Sequence, residues 1–156
     1  MSQSKHERTF EAIQHFILER EKSAQRRQAL LETLTEEVVR EKRRWTITQL
    51  HILSLVSNSQ GSMNNTSLAA ELNISKPAVT KAVNILIEHH LLLTSKKSDN
   101  HKELYYSVTD EGRQLAAVHD QMHRQLKEQY EQLFDAFSED ELDVVIRFLH
   151  AWSRLL

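Results

Sequence analysis

The sequence contains no cysteine, which excludes disulfide frameworks, thiolate metal centres, cysteine nucleophiles and thiol redox sensing together. Glycine occurs twice and proline once in 156 residues, which argues against a sheet-rich fold with many tight turns. Long hydrophobic runs are missing as well, so no segment is able to span a bilayer, and the opening MSQSKHERTF lacks the apolar stretch of a signal peptide. These absences predict a cytoplasmic chain. Nor is there an excess of one charge, since 20 Lys and Arg face 22 Asp and Glu for a formal −2. With no glycine-rich phosphate loop and no nucleophile–base constellation, an enzyme is not expected. What is there, 40% hydrophobic and 27% charged residues, suits a folded, mostly helical protein of one domain or of a core domain plus an oligomerisation element.

Residues 5–44 hold neither Gly nor Pro, and apolar positions recur at helical spacing: Phe10, Ile13, Ile17, then Leu30, Leu31, Leu34 and Val38. The intervening EREKSAQRRQ has almost nothing to bury, so either two helices meet near Glu21–Gln28 or one long helix bends there. A stripe without a partner in its own segment predicts packing against another helix or another chain. Thr46 and Gln49 then read as a capping box, with Trp45 and Leu50 as its hydrophobic staple, for a helix ending about Ser57 before the loop NSQGSMNN. A short helix over Thr66–Leu72, capped by Asn65 or Thr66, ends at Asn73, a residue that accepts a left-handed backbone. Ser75 caps the next helix, with Pro77 in its first turn and Val79, Val83, Leu86 and Ile87 as the buried stripe. Two helices separated by three or four residues make a helix-turn-helix pattern.

After His90 the period changes. Leu91–Thr94, a long charged tip SKKSDNHKE and Leu104–Val108 predict a β-hairpin, or wing. Thr109 caps a helix to about Phe137, with Asp110 and Glu111 at its positive end. Ser138 and Glu141 form a second capping box, stapled by Phe137 and Leu142, and the last helix carries Leu142, Val145, Ile146, Leu149, Trp152 and Leu155.

Net charge hides its distribution: +1 over residues 1–75, +2 over 76–103 and −5 over 104–156, with His89, His90 and His101 in the middle stretch. The basic excess falls on the second helix of the pair and on the hairpin tip, where a winged helix-turn-helix touches DNA. Ser75, Lys76, Thr80, Lys81 and Asn84 from the helix, and Lys96, Lys97, His101 and Lys102 from the tip, are the expected contacts to double-stranded DNA. Lysine and threonine suit phosphate or guanine, and asparagine can pair bidentately with adenine. A plain solvated helix face has the same composition.

At these residues the sequence resembles the MarR family of transcription regulators. Leu68-Ala69-Ala70-Glu71-Leu72-Asn73-Ile74-Ser75-Lys76-Pro77-Ala78-Val79-Thr80-Lys81-Ala82-Val83 is similar to the family's helix-turn-helix core, and Leu104-Tyr105-Tyr106-Ser107-Val108-Thr109-Asp110-Glu111-Gly112 to its second wing strand and next helix start. The resemblance implies a mainly α winged helix-turn-helix with a small β-hairpin, in an intertwined helical homodimer that sets two lobes on a palindromic operator, most often as a repressor. Residues 1–44 and 110–156 would supply dimerisation helices around a DNA-binding region at 45–109. The family's wing tip usually carries Asp-x-Arg. Here Asp99-Asn100-His101-Lys102 offers Lys102 or His101 in its place, without the planar guanidinium fork.

Nine histidines are present, and His119 and His123 stand at i and i+4, so both rings leave one helix face and can share a metal. Solvation or pairing with a carboxylate would account for them equally. The segment His119-Asp120-Gln121-Met122-His123 has the outline of a metallopeptidase helix, but Asp120 stands where the catalytic glutamate belongs and its arm is too short. Thr48-Gln49-Leu50-His51-Ile52-Leu53 resembles the zinc-responsive AdcR and ZitR branch of the family, which implies metal-binding roles for His51, His119 and His123. The branch's fourth ligand is a glutamate; Glu32 is the nearest match, one residue out of register, with Glu36 and Glu37 as substitutes. A second metal site is not expected, because its cysteine is absent and Leu50 and Val118 replace its acidic residues. Zinc is therefore the expected effector, tying the helix of His51 to that of His119 and His123. Protonated imidazole cannot ligate, so its hold should weaken as pH falls. The alternative effector is a small aromatic or anionic molecule, with Trp45, Phe134 and Phe137 lining its pocket.

Overall fold

A computed structural model of the chain describes residues 4–156, with only the backbone given at Asn100. Its elements run α1 (Lys5–Val39), α2 (Ile47–Asn58), α3 (Asn65–Leu72), α4 (Lys76–Glu88), β1 (Leu92–Lys97), β2 (Asn100–Val108), α5 (Asp110–Phe134) and α6 (Glu139–Ser153). They form two compact units, the first closing at His119 and the second spanning Asp120–Leu156; the boundary falls inside the unbroken α5.

The first helix is a single piece. Glu21–Gln28 buries little, yet Glu, Lys, Arg, Gln and Ala are all strong helix formers, so propensity carries the helix through a stretch that packing does not support. Side-chain pairs one turn apart assist, with Lys22 donating to Glu19 at 2.8 Å and Arg27 to Ser23 at 2.7 Å. Ser4 and Glu7 close a reciprocal capping box at its start, and Arg40 ends it in the left-handed region. Only its last third joins the core, through buried Thr35 and through Leu31, Val38 and Val39. The rest of a helix about 50 Å long at 1.5 Å per residue leaves Phe10, Phe16, Ile17 and Leu18 exposed.

The core of the first unit gathers Trp45, four residues of α2 (Leu50, Ile52, Leu53, Val56), Leu68 of α3, and Val79, Ala82, Val83 and Leu86 of α4. Leu91, Leu92, Tyr106, Leu115 and Ala116 complete it. Most helix starts lie where the sequence places them: Thr46 with Gln49, Ser75 accepting from the Ala78 N–H, and Thr109 accepting from the Gly112 N–H. Two boundaries differ. Asn64, not Asn65 or Thr66, caps α3, and α5 stops at Phe134, three residues early, where the N–H groups of Ala136 and Phe137 tighten onto carbonyls three residues back.

The first turn of α5 is pressed against the α4–β1 junction. Thr109 donates its hydroxyl to the His90 carbonyl at 2.8 Å and its backbone N–H to Leu91 O at 3.1 Å. A Cβ added at Gly112 would overlap the Leu91 carbonyl oxygen, and both partners are backbone, so neither can yield cheaply. Gly112→Ala is expected to cost about 2–3 kcal/mol, as overpacking in a rigid core does, read as a lowered denaturant midpoint at unchanged m-value.

The hairpin pairs Leu92 with Val108, Leu93 with Ser107, Thr94 with Tyr106 and Ser95 with Tyr105, slips register, and closes with Lys97 opposite Asn100. The long charged loop expected at the tip is therefore mostly strand, and only Ser98 and Asp99 turn. On the other edge of β2, Asn64 bridges Tyr105 and the Tyr106 N–H bonds Met63 O at 3.0 Å, which joins the start of α3 to the wing.

The second unit comprises the latter part of α5 and α6. No residue in it is buried. Tyr130, Leu133, Phe134, Val145, Ile146, Phe148 and Leu149 are all exposed on its two helices.

Candidate DNA-reading face and histidine cluster

The turn between α3 and α4 is built by Asn73, whose left-handed backbone lets the Ile74 N–H reach Ala69 O at 3.1 Å while Ile74 itself packs on the core. This aims α4 outward. Its inner side is sealed by Val79, Ala82, Val83 and Leu86, Lys76, Thr80, Lys81 and Asn84 are exposed on the outer side, and the cap Ser75 is exposed at its start. Four of the sequence-selected residues, Lys76, Thr80, Lys81 and Asn84, thus share one accessible face, and Ser75 is exposed at the helix start. On the wing, Lys96, Lys97, His101 and Lys102 are exposed too. The Lys97 ammonium sits 4.1 Å from the Tyr105 ring centre, a cation–π contact that holds it on the strand.

Sequence reasoning missed the side chains that brace this face. Tyr106 donates its hydroxyl to Asn65 Oδ1 at 2.7 Å, and Asn65 Nδ2 donates to Thr80 Oγ1 at 2.9 Å. Asn64 Nδ2 donates to Glu103 at 2.8 Å. A third link runs from the α1–α2 connection to the end of α4: His89 Nδ1 lies 2.9 Å from Glu41 Oε2 and its Nε2 lies 2.9 Å from Arg43. A carboxylate only accepts and a guanidinium only donates, so the imidazole proton belongs on Nδ1. Arg43 also lies over the Trp45 ring, and Trp45 meets His89 edge-on. Trp45 is thus core, while Phe134 and Phe137 lie exposed on the second unit.

His51 on α2 and His119 on α5 meet edge to face, with ring centres 5.0 Å apart. His123 follows one turn later on the same unbroken helix, and one ligand nitrogen from each of the three lies within 4.8 Å of the others. Zinc–imidazole bonds of 2.0–2.1 Å in a tetrahedron imply N···N separations of about 3.3 Å. Three imidazoles gathered at this spacing are a donor set that suits a zinc ion. His119 is 7% exposed, which gives the cluster an inner wall, and His123 is open to solvent. Glu32 is not one of the clustered residues. It accepts a hydrogen bond from Gln28 at 2.8 Å and lies 3.7 Å from the Arg44 Nε.

The sequence profile of the MarR family matches residues 45–104. Over the full length of both chains, the protein is 42% identical to YvnA of Bacillus subtilis, described as an uncharacterized HTH-type transcriptional regulator. It is 41% identical to the transcriptional regulator AdcR of Streptococcus pneumoniae over 68% of this chain and 71% of that protein. Among solved structures, the zinc-dependent MarR family regulator AdcR in its Zn(II)-bound state is similar at a TM-score of 0.57 and 38% identity, covering 72% of this chain and 76% of that one. No helix among the described residues is long and apolar enough to cross a membrane. A recognition helix capped by Ser75 and flanked by a two-stranded wing, in a sequence this near to YvnA and AdcR, makes the chain a member of the MarR family of helix-turn-helix transcriptional regulators.

Proposed function

We propose that the protein binds a palindromic operator as a homodimer, represses from it, and takes zinc as its allosteric effector. The observation that carries the DNA-binding part is the outer face of α4, where every polar side chain chosen from the sequence is exposed while the opposite face is locked in the core. Ser75, Lys76, Thr80, Lys81 and Asn84 would enter the major groove, and Lys96, Lys97, His101 and Lys102 of the wing would follow the adjacent backbone. Asn84→Ala is expected to weaken binding to a duplex selected by the wild type from a random library by about 1–3 kcal/mol and to relax sequence preference. Lys81→Ala should weaken all duplexes alike and reduce the slope of log K against log salt by about 1. Binding that ignores salt and both substitutions would defeat the proposal.

His51, His119 and His123 would hold the zinc ion, with Glu32 as our choice of fourth donor once it leaves Gln28 and Arg44. Bound zinc would supply a cross-link of fixed length between α2 and α5. The protein's own contribution is to place one donor on the DNA-binding lobe and two on the helix that continues into the second unit. Restricting α2 against α5 narrows the separations open to two recognition helices, which must span roughly 34 Å to enter successive major grooves. The zinc dependence of AdcR, to which this chain is similar, and the three clustered imidazoles support this reading.

A further inference from the structure

The chain Tyr106–Asn65–Thr80 crosses from the wing to the recognition helix through α3. Its direction follows from the donors and acceptors. The single proton of the Thr80 hydroxyl is committed to the Lys76 carbonyl at 3.0 Å, so Thr80 Oγ1 can only accept from Asn65. The amide must therefore turn Nδ2 toward Thr80 and Oδ1 toward the phenol, which donates. Burial pushes the Tyr106 phenol above its usual range, so it keeps its proton at any physiological pH, and the ring is only 4% exposed, so it has one position. Each hydrogen bond satisfies the next, and three elements are fixed relative to one another.

We infer that Asn65, clamped between Tyr106 and Thr80, is a positioning residue for sequence discrimination: it sets the angle of α4 against the wing and presents Thr80 to the groove as a hydrogen-bond acceptor and a methyl group rather than as a donor. The inference rests on the reading of α4 as the DNA-contacting helix. Phosphate contacts alone tolerate small rotations of a helix, because charge is nondirectional, whereas base-edge hydrogen bonds do not. Loosening the clamp should therefore lower specific binding and leave non-specific binding in place. Thr80 also loses the donor role that its residue type alone suggests, because its proton never faces the DNA.

The experiment compares wild type, Tyr106→Phe, Asn65→Ala, Thr80→Val and Thr80→Ser on two probes. One is a duplex selected by the wild type from a random library; the other is its scrambled sequence. Tyr106→Phe and Asn65→Ala are each expected to reduce the ratio of specific to non-specific affinity about 3- to 10-fold, the range for one hydrogen bond, with the salt slope unchanged. Thr80→Val, which removes the acceptor, should do the same, and Thr80→Ser, which keeps the acceptor but loses the methyl group, should lower the ratio less than Thr80→Val does. Adding Tyr106→Phe to Thr80→Val should then change it less than twofold, because both act through one contact. Thr80 is exposed, so its variants fold even where a substitution at buried Tyr106 does not. A wild-type ratio in Asn65→Ala and Thr80→Val, or an equal loss on both probes, overturns the inference. A wild type that selects no sequence at all overturns instead the reading of α4 on which it rests.

Discussion

Replacing His119 or His123 by alanine is expected to lower zinc affinity by at least about 100-fold, since losing even a group that only hydrogen-bonds a metal ligand costs about 10- to 100-fold. The zinc-dependent part of operator affinity, expected to be about 5- to 150-fold, should vanish with it. The two variants separate ligation from folding. His119 is buried against His51, so its removal also opens the lobe beside α2. His123 is exposed, so His123→Ala should fold and melt near the metal-free wild type while failing to respond to the ion. Titration calorimetry gives the affinity, and a gel shift with zinc and then a chelator gives the coupling. Thermal unfolding offers a third reading: zinc at 100 times its dissociation constant should stabilise the wild type by about 2.7 kcal/mol and His123→Ala by no more than about 0.4 kcal/mol. Retention of the zinc response by both variants would remove the metal from the mechanism. Glu32→Gln tests the fourth donor separately, and an unchanged affinity would pass that role to Glu36, Glu37 or water.

The parts of this architecture that the sequence displays are those set by local chemistry. Thr46 with Gln49, Ser75 before Pro77, Asn73 in the left-handed region and Ser138 with Glu141 each act within one helical turn, and each occurs where it is read. The parts that escape are decided by distant partners. Asn64, Asn65 and Thr66 can all cap a helix, and Asn64 prevails because Glu103 and the bridge to Tyr105 hold it at the sheet edge. Ser95, Lys96, Lys97, His101 and Lys102 have little intrinsic preference for a strand, yet pairing between two chain segments extends the ladder almost to the tip. The continuity of α1 through Glu21–Gln28 was one of two open readings, since the apolar pattern lapses there while helix propensity does not. Among the metal candidates, the i, i+4 spacing of His119 and His123 is visible in the sequence, and His51 enters by resemblance. The engagement of Glu32 by Gln28 and Arg44 has no signal at all, because nothing in a sequence reports which of several polar neighbours a carboxylate chooses.

A glutamate at Leu149 is expected to convert a dimer into monomers and to weaken binding to the two-half-site duplex by about 100- to 10,000-fold, the range over which linking two binding events raises affinity. The reason lies in what the helices leave uncovered. In α6 the positions Val145, Ile146, Phe148 and Leu149 are all exposed, and none of the helix is buried, although its spacing of apolar residues is that of a helix with a core to join. The first two-thirds of α1 repeats the pattern with Phe10, Phe16, Ile17 and Leu18. Each buried leucine is worth about 1.5–3 kcal/mol, so a second copy packed on these faces would be strongly favoured, and a charge introduced among them would oppose it. The lobe that carries α4 has its own sealed core and does not depend on that packing. Leu149→Glu should therefore keep its helical signal, sediment as a monomer, and bind a single half-site with the affinity of one wild-type lobe. If it stays dimeric, the exposed faces of α1 and α6 are not the interface; if it becomes monomeric and holds the full duplex as tightly as before, one lobe is sufficient and the two-fold reading of the operator fails.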